Sequence, residues 1–177
     1  MQYRNKINNL NRAFTLVELL VVITILGILA SIGLVAFTSA QMRGRDAARK
    51  SDLKQIASAL ELFYADYGQY PPDSAGVILG CPYDPTKGTG SSCTWGTSEF
   101  TDSKTIYFVV LPKDPSQNYN YYYRIVPGSN NQKFQLFAYL ENTQDPQRSA
   151  TPYSYSCSAS AQGCNFSITS ANTTPTE

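Results

Sequence analysis

The chain of 177 residues contains no histidine. Without one, a Ser-His or Cys-His nucleophile pair has no base and an imidazole-bound zinc has no ligand. No C-x2-C pair, G-x-S-x-G or P-loop stretch is present, and no internal repeat. Charge imbalance is missing too. The formal net charge is +1, which supplies no basic field for nucleic acid. Arg4, Lys6 and Arg12 precede residue 14, so the remainder, with 11 basic and 13 acidic residues, carries −2.

From Leu19 to Met42 no residue is charged, and the first part of the run is almost wholly Leu, Val, Ile, Ala and Gly. As a helix this run spans roughly 30 Å or slightly more, the thickness of a bilayer core. The block is longer than a secretory h-region, and no small-x-small cleavage site is followed by an obvious mature start, so it is expected to anchor the chain in a membrane rather than be discarded as a signal peptide. The basic leader places the start of the chain in the cytoplasm and the rest across the membrane.

The cysteines Cys81, Cys93, Cys157 and Cys164 all lie beyond this span, and an even number in an exported domain suggests disulfides. Four cysteines allow three pairings. The local one, Cys81 with Cys93 and Cys157 with Cys164, closes short loops and is favoured, with the others left open. No metal or cofactor is expected. Glu141, Asn142 and Asp145 are too sparse for a calcium site.

After the span, Leu53, Ile56, Leu60, Phe63 or Tyr64, and Tyr67 recur at three and four, one stripe of an amphipathic helix that Gly68, Pro71 and Pro72 end. Span and stripe are expected to form a single helix from Phe14 to about Tyr67. Asp46, Asp52, Glu61 and Asp66 lie among basic residues and read as a solvated polar face. Residues 68–105 are rich in Gly, Ser, Thr, Pro and Asp and read as a long loop. "TIYFVVL", "YYYRIV" and "KFQLFAYL" read as three strands of an antiparallel meander, the last two as the firmest pair. Alternation places Phe134, Leu136, Ala138 and Leu140 on the face toward the helix. Asp114, in "LPKDP", reads as a turn residue. Residues 171–177 read as a frayed tail.

One carboxylate, Glu18, interrupts the apolar region. A lone ionised group in a bilayer costs at least about 2.5 kcal/mol, so it needs a partner, neutralisation or hydration at the interface. The stretch "RAFTLVELLVVITILGILASIG", with "SDLKQIASALELFYADYGQYPP" and more loosely "LPKDP", resembles the type IV pilins and the related pseudopilins of type II secretion. The resemblance covers about half the chain. It implies that prepilin peptidase cuts between Ala13 and Phe14 and methylates the new amine of Phe14. It also implies that Glu18, fifth from the cut, pairs during assembly with the Phe14 amine of a neighbouring subunit.

The expected fold is α+β: a long N-terminal helix, half transmembrane and half amphipathic, on a small antiparallel sheet. The expected division is a cleaved leader 1–13, an assembly segment 14–40 and an exported domain 41–177, with 41–67 helical, 68–105 loop and 106–170 sheet. The expected function is that of a structural, non-enzymatic subunit of a type IV pilus-like filament. The precursor would sit in the inner membrane, and the filament would lie outside the cell. Its partners would be copies of itself, the peptidase and the inner-membrane assembly machinery. The alternatives are a type II secretion pseudopilin and, from another class, a monomeric membrane-anchored enzyme or binding module.

Overall fold

A computed structural model describes residues 14–158 and 162–177. The chain divides into two units, one ending at Ala40 and one spanning Gln41–Glu177. Helix α1, Leu16–Tyr67, runs for 52 residues. It starts at a Thr15 cap and stops where Gly68 turns left-handed at φ 66°. There the Gly68 N–H donates to the Tyr64 carbonyl at 2.7 Å, satisfying one of the carbonyls a helix end leaves over. Pro71 and Pro72 prevent resumption.

Within the second unit the expected stripe is the buried one: Leu53, Ile56, Leu60 and Phe63 are fully covered, with Tyr64 and Tyr67 partly so. Phe63 is the centre. The rings of Tyr67, Tyr83, Phe100 and Tyr107 lie 4.6, 4.8, 5.4 and 5.2 Å from it, pairs worth about 0.5–1.5 kcal/mol each beyond area burial.

The segment after the helix is more regular than its composition suggests. Strands β1 (Asp73–Ser74), β2 (Val77–Asp84) and β3 (Thr89–Ser92) form an antiparallel sheet inside the stretch expected as loop. Two glycines that read as loop signals serve close packing instead. A Cβ on Gly90 would lie 2.3 Å from the Pro82 carbonyl oxygen, and one on Gly80 would lie 2.8 Å from the Phe100 ring. Glycine lets the chains approach where other residues would collide.

The expected three-run meander is corrected. The first run, as β5 (Ile106–Phe108), pairs with β4 (Phe100–Thr101) in a separate ribbon. Strands β6 (Tyr122–Ile125) and β7 (Phe134–Ala138) pair as expected, with Tyr122 opposite Phe137 and Ile125 opposite Phe134. The third strand is β8 (Phe166–Thr169), from beyond the turn-rich segment. Strand β7 is therefore central, and all five of its residues are buried. Phe134, Leu136 and Ala138 join the helix core, while Phe137 packs on the opposite side with Cys157 and Cys164. The tail is tied down rather than frayed. Lys133 Nζ meets Glu177 at 2.7 Å, and the buried Gln135 amide donates to the Thr174 carbonyl at 2.6 Å.

Candidate functional site

The first unit offers its N-terminal end. Ala13 and the leader lie outside the described residues. Phe14 precedes the helix and is 74% exposed. Thr15 and Glu18 form a reciprocal cap. The Thr15 N–H and hydroxyl donate to Glu18 Oε2 at 2.9 and 2.8 Å, and the Glu18 N–H donates back to Thr15 Oγ1 at 3.2 Å. The signal for this was legible: T-x-x-E before an apolar run is the sequence form of the motif. Glu18 thus has an intrachain role that sequence reasoning missed. Its negative charge also suits the positive end of the helix dipole.

Beyond it the helix is long and apolar enough to cross a membrane. The described large side chains between Leu16 and Phe37 are exposed, among them Ile23, Leu26, Leu29 and Leu34. The hydroxyls in this stretch stay satisfied. Thr24 donates to the Val21 carbonyl at 2.8 Å and Ser31 to that of Ile28 at 2.7 Å, so neither presents an unpaired donor to lipid. What remains is a surface suited to lipid or to another apolar helix.

In the second unit, the structure joins Cys81 to Cys93 and Cys157 to Cys164. Of the four helix carboxylates expected on a solvated face, Glu61 and Asp66 are exposed, whereas Asp52 is half-buried and Asp46 buried. Arg49 is wholly enclosed. Its Nε and Nη2 meet the two oxygens of Asp114 at 2.7 Å each, Nη1 meets Asp46 at 2.7 Å, and Nη2 also meets Glu141 at 2.7 Å. Asp46 further accepts the backbone N–H groups of Glu141 and Asn142 at 3.0 and 2.8 Å. Arg45 clasps Glu141, and Lys50 holds both oxygens of Asp145 at 2.7 Å. Asp114 also accepts the Ser116 N–H at 2.8 Å, so the turn reading describes only part of its work. The missed signal is the spacing of Arg45, Asp46, Arg49 and Lys50 along one helix, which becomes informative only when the carboxylates return from 65 or more residues away.

Electrostatics match this arrangement. Burial works to lower the Arg49 pKa, but hydrogen bonds to Asp114 and Glu141 outweigh it and hold the guanidinium charged. The hydrogen bond from Arg45 leads those that hold Glu141 below the usual carboxylate range, and Lys50 does the same for Asp145. Asp52 goes the other way. Burial raises it although the Tyr121 hydroxyl donates to it at 2.6 Å. Tyr67 is pushed up to about 12 by its hydrogen bond to Asp102. A phenol held protonated and an arginine locked by three carboxylates fasten strands and loops to a helix; neither is poised for proton transfer at neutral pH.

Two stretches, "NFS" from Asn165 and "NTT" from Asn172, have the N-x-[ST] glycosylation pattern, and the first is closed by the fold. Asn165 is fully buried, its carbonyl accepting the Leu140 N–H at 2.6 Å and its amide donating to the Leu140 carbonyl at 3.0 Å.

Residues 8–34 match the family model of the prokaryotic N-terminal methylation motif. Over 66 residues, 37% of the chain, it is 36% identical to the type IV major pilin protein PilA of Myxococcus xanthus, covering 30% of that protein. Over 117 residues, 66% of the chain, it is 33% identical to the type II secretion system core protein G of Pseudomonas aeruginosa, covering 74% of it. Over 81 residues, 46% of the chain, it is 31% identical to the type IV major pilin protein PilE1 of Neisseria gonorrhoeae, covering 49% of it. The chain thus spans less than half of the two pilins. No solved structure matches.

Proposed function

The chain belongs to the family of type IV pilins and type II secretion pseudopilins, and from that membership we propose that it is a structural subunit that polymerises through its N-terminal helix and catalyses no reaction. The observation that carries the reading is Glu18 at the head of an exposed apolar helix, fifth from the expected cut and inside residues 8–34, which match the methylation motif. Prepilin peptidase cuts between Ala13 and Phe14 and methylates the Phe14 amine. The precursor rests in the inner membrane, where the apolar helix half is solvated by lipid. On assembly, helices of neighbouring copies replace the lipid, and the globular domains lie outside. The carboxylate of Glu18, already turned toward the helix start by Thr15, meets the Phe14 amine of a neighbour. In a low-dielectric surrounding such a pair is short-ranged and orienting, although desolvation offsets much of its net energy. The inner-membrane assembly machinery extracts and adds each subunit.

A pseudopilin is the second reading, favoured by how far the resemblance reaches. The stretch shared with protein G extends over 117 residues, past the helix, whereas those shared with the two pilins cover 66 and 81.

Electron microscopy and intact-mass measurement of sheared surface material test both readings. Filaments built from a chain that starts at N-methylated Phe14 are expected. A monomer that retains residues 1–13 would overturn the filament reading, and short filaments made only with a secretion system present would select the pseudopilin.

A further inference from the structure

From Gln41 onward, the exposed large aliphatic side chains among the described residues are Leu62, Ile106, Val109 and Val110, at 50, 55, 69 and 49%. The fold brings them to one side of the domain. The Tyr107 hydroxyl donates to Asp66 at 2.8 Å, and Asp114 accepts Arg49 at 2.7 Å, so both ends of the strap 107–114 are fastened to α1. The helix rises about 25 Å from Asp66 back to Arg49. The strap bends at Val109 and Val110 and runs from the level of Asp66 back toward Arg49, a course on which Leu62 lies one turn before Asp66.

The strap also cannot turn its valines inward. Tyr107 and Leu111 occupy the inward positions on either side, and Leu111 is held by backbone bonds to Ser98 and Gly96 at 2.9 and 2.7 Å. Four aliphatic side chains therefore face solvent in a domain whose other described large ones are buried or half-buried.

Its size says what it suits. A stable interface between free proteins needs about 800 Å² per partner, more than four part-exposed side chains supply. A contact of this size holds only when something else already keeps the partner beside it, because tethering raises the effective concentration. For this chain the apolar half of α1 is that tether, and the molecule it holds alongside is another copy.

We propose that Leu62, Ile106, Val109 and Val110 form the lateral contact through which the globular domain of one subunit packs on that of a neighbouring copy. This rests on the filament reading. The contact joins unlike surfaces of successive copies and so propagates rather than closing into a dimer.

The test places a photo-cross-linking benzophenone residue at position 110 of the full chain, in cells that assemble it, alongside a Val109→Asp/Val110→Asp double variant. Expected are a light-dependent cross-link between two copies in the sheared filaments, and a filament yield at least tenfold lower for the double variant although it is made, inserted and processed. Should the double variant misfold, the cross-link decides. Filaments with no cross-link between copies, a cross-link to a different protein, or a normal yield from the double variant overturn the contact and leave the filament reading standing. A parent chain that forms no filaments overturns both.

Discussion

Arg49 and Asp114 lie 65 residues apart in the chain yet meet through two parallel hydrogen bonds of 2.7 Å, with neither side chain exposed. Asp46 and Glu141 share the same guanidinium, so removing it takes a cation from three carboxylates, of which Glu141 keeps Arg45 while Asp46 and Asp114 keep only N–H donors. Breaking a buried pair from one side costs about 3–5 kcal/mol. Arg49→Met is expected to lose that much in urea unfolding of the detergent-solubilised full chain. Arg49→Lys should recover only a fraction, because a lysine cannot reproduce the two-pronged geometry.

Glu18 variants separate capping from charge. Gln can still close the box with Thr15, whereas Ala cannot, at a cost of about 1 kcal/mol in helix-end stability. Both remove a charge from the span, so insertion should be at least as good as in the parent. Surface filament yield relative to the membrane pool should collapse for both variants if the charge aligns subunits. Normal filaments from Glu18→Gln would assign the residue to capping alone.

Each disulfide closes a short loop, with sequence separations of 12 and 7. The chain-entropy account gives about 3 and about 2.4 kcal/mol respectively. Replacing Cys157 and Cys164 together by Ala should cost at least this amount, since both pack against Phe137 in the second core cluster. Non-reducing peptide mapping of exported protein should find all four cysteines oxidised in these pairs, and the melting temperature of each double variant checks the cost.

The tyrosines set an alkaline limit. Tyr67 is raised to about 12 by Asp102, and burial raises Tyr121 and Tyr123 as well. Unfolded tyrosine ionises near pH 10. The folded state therefore keeps protons that the unfolded state releases, so stability is full below about pH 10 and falls as pH climbs toward the folded values. Tyrosinate absorbance should appear in one cooperative step that coincides with loss of circular dichroism. Gradual ionisation in a folded chain would contradict it.

The acid side has the opposite sign. Asp102 is lowered to about 2, its hydrogen bonds from Tyr67 and the 104–105 backbone outweighing the upward push of burial. Glu141 and Asp145 are lowered by Arg45 and Lys50. Their stabilisation is complete above the unfolded carboxylate values near pH 4 and is lost as pH falls from there toward about 2. Asp52, raised by burial, works weakly the other way. Melting temperature against pH should drop below about pH 4, and Lys50→Met should flatten the part due to Asp145.

The long helix, its apolar half, its buried stripe and the pairing of β6 with β7 were legible in the sequence because each rests on local periodicity or on neighbours a few residues apart: Leu53, Ile56, Leu60 and Phe63 are spaced by the helix itself. The capping of Thr15 by Glu18, which sequence reasoning missed, was legible for the same reason, as the four-residue motif T-x-x-E. Tertiary structure alone decided the rest. Strand β7 became central only when β8 returned from beyond residue 162, which no alternation in "KFQLFAYL" announces. The glycines of the first sheet looked like loop residues because the feature that requires them, a facing backbone or ring, lies elsewhere in the chain. Asp46 and the basic residues around it looked solvated because a helix face bears its sign and spacing but not its cover. Whether Arg49 meets water or Asp114 depends on a strap anchored at Tyr107 and Asp66, and burial of a charge is settled by what packs over it.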